Sequence, residues 1–91
     1  MQTPTDALLA ERGKTHGDYT DHAAITQATK DLWRNHPGWA RLNACQRETL
    51  EMNAHKVGRI LAGDPNIPDH WDDIAGYSRL VSQRLPEQPQ R

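Results

Sequence analysis

Glycine and proline divide this sequence into segments that suit helices and little else. Pro4, Gly13, Gly17, Pro37-Gly38, Gly63, Pro65, Pro68 and Pro86 fall between runs whose apolar residues recur every three or four positions. No run alternates with period two, so nothing reads as a half-buried strand. The clearest segment runs from Ala44 to Ala62. Asn43, with Gln46 three residues later, forms a capping-box pattern, and Gly63 is a stop. Thr3-Pro4 opens a short first helix expected over residues 4–12, closed by Gly13. Thr20 or Asp21 would cap a second helix reaching about Asn35, ended by His36-Pro37-Gly38. A fourth is expected from about Asp69 to Leu85, stopped by Pro86. The fold class read from this pattern is all-α: a small bundle of three to four helices over residues 1–85, with a disordered tail at 86–91.

The apolar stripes are narrow. Ile25, Ala28, Leu32 and Trp33 share a face of the second segment, and Leu50, Ala54, Val57 and Leu61 share one of the third. Trp71, Ile74, Val81 and Leu85 do so in the fourth, while Trp39 and Leu42 would clip the linker onto the core. Leu8 and Leu9, the first segment's only strong apolar residues, need a groove elsewhere. With 91 residues, 35% of them hydrophobic and no Phe, the core must be thin. Association into a homo-oligomer, or docking onto a partner, is the expected remedy.

Charge narrows the function. Eleven basic and twelve acidic side chains give a net charge of −1, which argues against an extended nucleic-acid surface. No stretch is apolar enough for a signal peptide or a membrane span, and the single Cys45 has no disulfide partner. The expectation is a cytoplasmic protein that does not engage a membrane.

Three groups of residues could carry chemistry. Glu48 and Glu51 are three positions apart, and Asp69 lies three before Asp72 and four before Asp73, so each set shares a helix face. Carboxylates meeting between antiparallel helices repel unless a cation such as Mg²⁺ or Mn²⁺ sits among them. The same acids also fit an ordinary polar hairpin, with Glu48 favoured by the helix dipole, Asp69 as an N-cap and the rest solvated. Lys56 and Arg59, close in angle on one helix, could converge on a phosphate or form a solvated face. In His16-Gly17-Asp18-Tyr19, glycine allows close backbone approach, Asp18 can accept hydrogen bonds and Tyr19 can stack on a base or sugar. A turn holding a half-buried Tyr19 is the plainer alternative. His16, His22, His36, His55 and His70 lack zinc spacing. Of these, His55, one turn after Glu51, is the candidate ligand or proton carrier.

Glu11-Arg12-Gly13, His16-Gly17-Asp18-Tyr19, the stretch HKVGRI at 55–60 and the stretch DHWDDIAGY at 69–77 resemble a family of small phage and prophage proteins of uncharacterised function. The usual first motif has Tyr where this chain has His16. The resemblance spans roughly residues 10–83. That family is similar, more distantly, to the all-α nucleoside triphosphate pyrophosphohydrolases of the MazG-like kind, whose signature is Glu-x-x-Glu followed by Glu-x-x-Asp. Glu48-x-x-Glu51 and Asp69-x-x-Asp72 match it except that Asp69 replaces Glu, and Asp73 could serve in place of Asp72. The resemblance implies that these acids hold Mg²⁺ (or Mn²⁺), that Glu48 or Glu51 binds metal or activates water, and that Lys56 and Arg59 neutralise phosphate. The partner would be a nucleotide, in a phage-encoded protein working inside a bacterial host. Two rival expectations stand beside it: a phage accessory or anti-defence protein that sequesters a nucleotide signal or inhibits a host protein, and a helical assembly subunit with no ligand site.

Overall fold

A computed structural model describes residues 3–86, and the tail expected over 86–91 lies outside this range except for Pro86. The described residues form four α-helices and one 3₁₀ turn, with no strand among them. The all-α expectation holds.

Helix α1 spans Pro4–His16, three residues past its expected stop at Gly13. A mid-helix glycine costs only about 1 kcal/mol. Gly17 ends the helix instead, because its φ of 79° supplies the left-handed backbone that other residues avoid. Thr3 and Asp6 close the N-terminus reciprocally at 3.1 Å each. Helix α2 spans Tyr19–Arg34 and begins earlier than expected, since Asp18 rather than Thr20 or Asp21 is its cap, accepting from the Asp21 N–H at 3.0 Å. A 3₁₀ turn over Pro37–Arg41 leads to α3, Ala44–Ala62, where the Asn43–Gln46 capping box forms as read, 2.9 Å each way. Helix α4 is Pro68–Ser82. Pro68 takes a first-turn position, where its missing N–H costs nothing, and the helix stops before Leu85 rather than at Pro86.

Helix α3 lies between α2 and α4 and packs against both, while α1 touches α2 and α3 only lightly. Three helices in one layer leave little interior. Ala54 and Ile60 are the buried apolar residues, whereas His22, Thr26, Lys56 and His70 are buried polar ones. Here the structure reverses the expected core. Of the α3 stripe only Ala54 is buried; Leu61 is exposed, Val57 is about one-third exposed, and Leu50, equally exposed, borders Ser78 and Val81 of α4. The α2–α3 seam instead runs through Gly58, where a Cβ would collide with the Thr26 hydroxyl and the His22 ring. Leu8 and Leu9 of α1 stay exposed, as do Leu32 and Trp71. Trp39 and Leu42 are half-buried, in line with the expected clip.

The shape reflects this. The molecule measures 61 × 26 × 21 Å with a radius of gyration of 16.1 Å, against roughly 12 Å for a compact chain of this length. No helix of the described residues is long and apolar enough to cross a membrane.

Candidate phosphate pocket

The carboxyl end of α1 crosses the α3–α4 connection at two glycines. A Cβ on Gly17 would strike the Ala62 carbonyl, and one on Gly63 would strike the Thr15 backbone. The Asp64 N–H donates to the Thr15 carbonyl at 3.1 Å, and His70 Nε2 approaches the same oxygen at 3.4 Å. This crossing fixes the last turn of α1 beside the first turn of α2 and the middle of α3. Between them lies a cavity of about 490 Å³.

The lining is basic and aromatic. Arg12 and His16 come from α1, Tyr19 and His22 from α2, and His55 and Arg59 from α3; Leu9, Gly13, Gly17 and Asp18 complete the wall. Each helix contributes its pair at one-turn or near one-turn spacing, so both members point the same way. The His22 Nε2–H donates to the His55 carbonyl at 3.0 Å, which leaves Nδ1 as its acceptor nitrogen. The two rings sit 4.5 Å apart, and His16 lies 5.1 Å from the ring of buried His70. The Tyr19 and His22 rings lie nearly perpendicular, 6.2 Å apart, and Tyr19 is 78% exposed at the cavity mouth. Tyr19 is thus exposed rather than half-buried, as the plainer of its two readings had it.

Burial and the Arg59 guanidinium keep the imidazoles from charging. Desolvation, then Arg59, His22 and Lys56, push His55 down to about 4. The same causes, desolvation first, lower His16 and His22, the latter partly offset by its bond to the His55 carbonyl. The cavity therefore presents two fixed cations and three neutral imidazoles at neutral pH.

The acidic candidates lie elsewhere. Glu51 turns toward α2 and is held by Arg34, whose Nε donates at 2.9 Å. Asp73 pairs with Lys56 at 2.8 Å, and that hydrogen bond and charge hold its carboxyl below the usual range. Lys56, only 8% exposed, is thus engaged with an acid, and Arg59 alone of that pair reaches the cavity. Asp72 and Asp73 border a shallow groove with Tyr77 and Leu80. Glu48 lies further along, beside Tyr77, Leu80 and Arg84. Asp69 is exposed in the first turn of α4 and is not its N-cap, a position taken by Ile67. Because α3 and α4 run antiparallel, the amino-terminal acids of each sit at opposite ends of the pair. Among the described residues, no three His, Cys, Asp or Glu side chains come together to hold a metal ion.

Of the residues singled out in the sequence, the structure gathers Asp18, Tyr19 and Arg59, with His16 and His55. Arg12 and His22 were not read as site residues. The i,i+4 pairs Arg12/His16 and His55/Arg59 were a legible signal, yet only the crossing of α1 over α3 makes them converge.

Comparison of the chain with protein families, with characterised proteins and with solved structures returns no match. The site is therefore read from its own chemistry.

Proposed function

We propose that this chain is a small all-α nucleotide-binding protein that holds the phosphorylated part of its ligand between Arg12 and Arg59. One observation carries the reading: Arg12, Arg59 and three histidines border a single cavity in a chain whose net charge is −1. Guanidinium forks match phosphate oxygens bidentately, and an exposed tyrosine ring suits a base or sugar. Asp18, at the rim, can accept from a ribose hydroxyl or a base amine. Mg²⁺ or Mn²⁺ enters as the counter-ion of the bound phosphates, since Mg²⁺ often takes only one or two protein carboxylates beside substrate phosphates. A four-carboxylate cage does not fit the arrangement within one copy, so no step is routed through it.

The pyrophosphohydrolase implied by the resemblance, and the cytoplasmic, phage-encoded setting that goes with it, belong to this proposal. Its rival is a binding protein that captures a nucleotide signal unaltered, favoured by the separation of the acids in a single copy. Calorimetric titration with ribo- and deoxyribonucleoside triphosphates, with and without Mg²⁺ or Mn²⁺, tests the common core. Binding lost in Arg59→Ala at unchanged Tm is expected; no binding from any nucleotide overturns the reading. Release of monophosphate and pyrophosphate, abolished together with binding in Arg59→Ala, would decide for hydrolysis, and intact ligand for capture.

The proposal includes a second copy of the chain on the exposed α3 stripe. The accessible surface is 6911 Å², against roughly 5,400 Å² for a compact monomer of this mass. The excess is at least of the order that one side of a stable interface buries, about 800 Å². Leu50, Val57 and Leu61 supply an apolar line between the α2 and α4 contacts, with Leu32 beside them by helical spacing. Light scattering on the eluting protein should give twice the chain mass, and a monomer at micromolar concentration would exclude this assembly.

A further inference from the structure

We infer that the pocket is proton-coupled: His16, His22 and His55 are a reserve of cations that take up protons as a multiply charged phosphate enters, so affinity rises as pH falls. The inference deepens the nucleotide-binding reading and rests on it.

The geometry carries the argument. Three imidazoles share one wall with two guanidiniums, and the His22 and His55 rings are 4.5 Å apart. At that distance charging both rings is disfavoured unless an anion lies between or beside them. Three of the surrounding helices add positive charge: Arg12 from α1, Lys30 from α2, Lys56 and Arg59 from α3, with buried His70 of α4 tilted against His16. The opposing groups are otherwise engaged or peripheral. Asp18 sits at the rim, Glu51, one turn before His55, is held by Arg34, and Asp73 of α4 is taken up by Lys56. Tyr19 is the remaining polar neighbour on α2. The surrounding charges disfavour protonation of the rings, in keeping with the lowered proton affinity of all three.

An entering di- or triphosphate reverses the sign of that field. It neutralises Arg12 and Arg59 and adds negative charge, so each proton taken up gains a partner. His22 has a defined place for it: its Nε2–H is committed to the His55 carbonyl, and Nδ1 is the nitrogen that protonates. A singly charged anion gives the rings far less to pair with. The pocket therefore discriminates by phosphate charge, and more sharply in mildly acidic solution.

The test compares wild type with a His22→Gln/His55→Gln variant, because the nucleotide's own phosphate titration is common to both and cancels. Binding of a nucleoside triphosphate is measured from pH 7.5 to 6, with calorimetry at pH 6.5 in buffers of different ionisation heat. Thermal melts check that the variant folds; the amide that replaces the His22 ring can still donate to the backbone carbonyl of position 55. The wild type should gain affinity over the variant by about three- to tenfold across this range, with net proton uptake from the buffer. Parallel affinity curves and no difference in proton uptake would overturn the coupling while leaving nucleotide binding intact. Absence of binding by wild type at every pH would overturn the underlying reading as well.

Discussion

The two sides of the α2–α3–α4 layer are built from opposite kinds of residue, and each is placed where the other would be expected. On the pocket side, histidines, arginines and a lysine are packed together, with His70 only 2% exposed. On the far side, Leu61 is 66% exposed, and Leu50 and Val57 keep 36% and 37% of their surface open. A single chain stabilised by burial alone would turn these around, since apolar area removed from water contributes about 25 cal/mol per Å² and buried polar groups need partners. The polar side is held by specific contacts: the His22–His55 hydrogen bond, the Lys56–Asp73 pair and the Gly17–Gly63 crossing. Polar burial on one side is what the proposed ligand site requires, and apolar exposure on the other is what the proposed second copy would cover.

The sharpest way to break both sides at once is at their shared seam. Gly58→Val would drive a branched side chain into Thr26 and His22, costing about 3 kcal/mol and lowering Tm by more than ~12 °C. A melt within a few degrees of wild type would mean that α2 and α3 do not approach this closely.

Arg59→Ala strikes the pocket side alone. Loss of a charge-assisted contact should weaken nucleotide binding roughly ten- to hundredfold, with little change in Tm, as read by titration calorimetry. Arg12→Ala should behave alike.

Acid separates the sides without mutation. His55 is lowered from 6.5 to about 4 by desolvation and neighbouring cations, so below pH 6.5 the unfolded chain binds a proton that the fold refuses. Stability contributed by this group is complete above pH 6.5 and is lost as pH falls toward 4, on the order of 2 kcal/mol after allowance for solvent screening. Denaturant titrations at pH 7 and pH 4.5 measure it, and His55→Gln should flatten this part of the loss.

Leu61→Asp addresses the opposite side. It should raise the dissociation constant of the assembly at least about tenfold, seen as a shift toward monomer mass on dilution, while nucleotide affinity is retained. As the mildest change, Glu11→Gln removes an exposed ion pair with Lys14 at 3.5 Å, and stability read from thermal melts should change by less than ~0.5 kcal/mol.

Local order was legible from the residues. The Asn43–Gln46 box, the Gly63 stop and the length of α3 were read as they stand, because caps and helical periodicity depend on neighbours a few positions away. Gly13 misled for the same reason: its propensity to end a helix is real but small, and Gly17 was the position that required a positive φ. The acidic pairs were equally plain as pairs. Their distance from one another was not, because it depends on which ends of α3 and α4 lie together.

What the sequence by itself determined is therefore helical: four segments, the caps of the third, and which residues share each face. Which face turns inward was decided only by tertiary structure. Helical spacing groups Leu50 with Val57 and Leu61, and His55 with Arg59, but says nothing of what comes to meet either group. The Gly17–Gly63 crossing brings α1 over His55 and Arg59, and the Gly58 seam draws His22 against them. Those contacts join residues more than thirty positions apart. Close approach of backbones, available only where glycine removes the Cβ, made a polar pocket of one face and left the apolar stripe outside it.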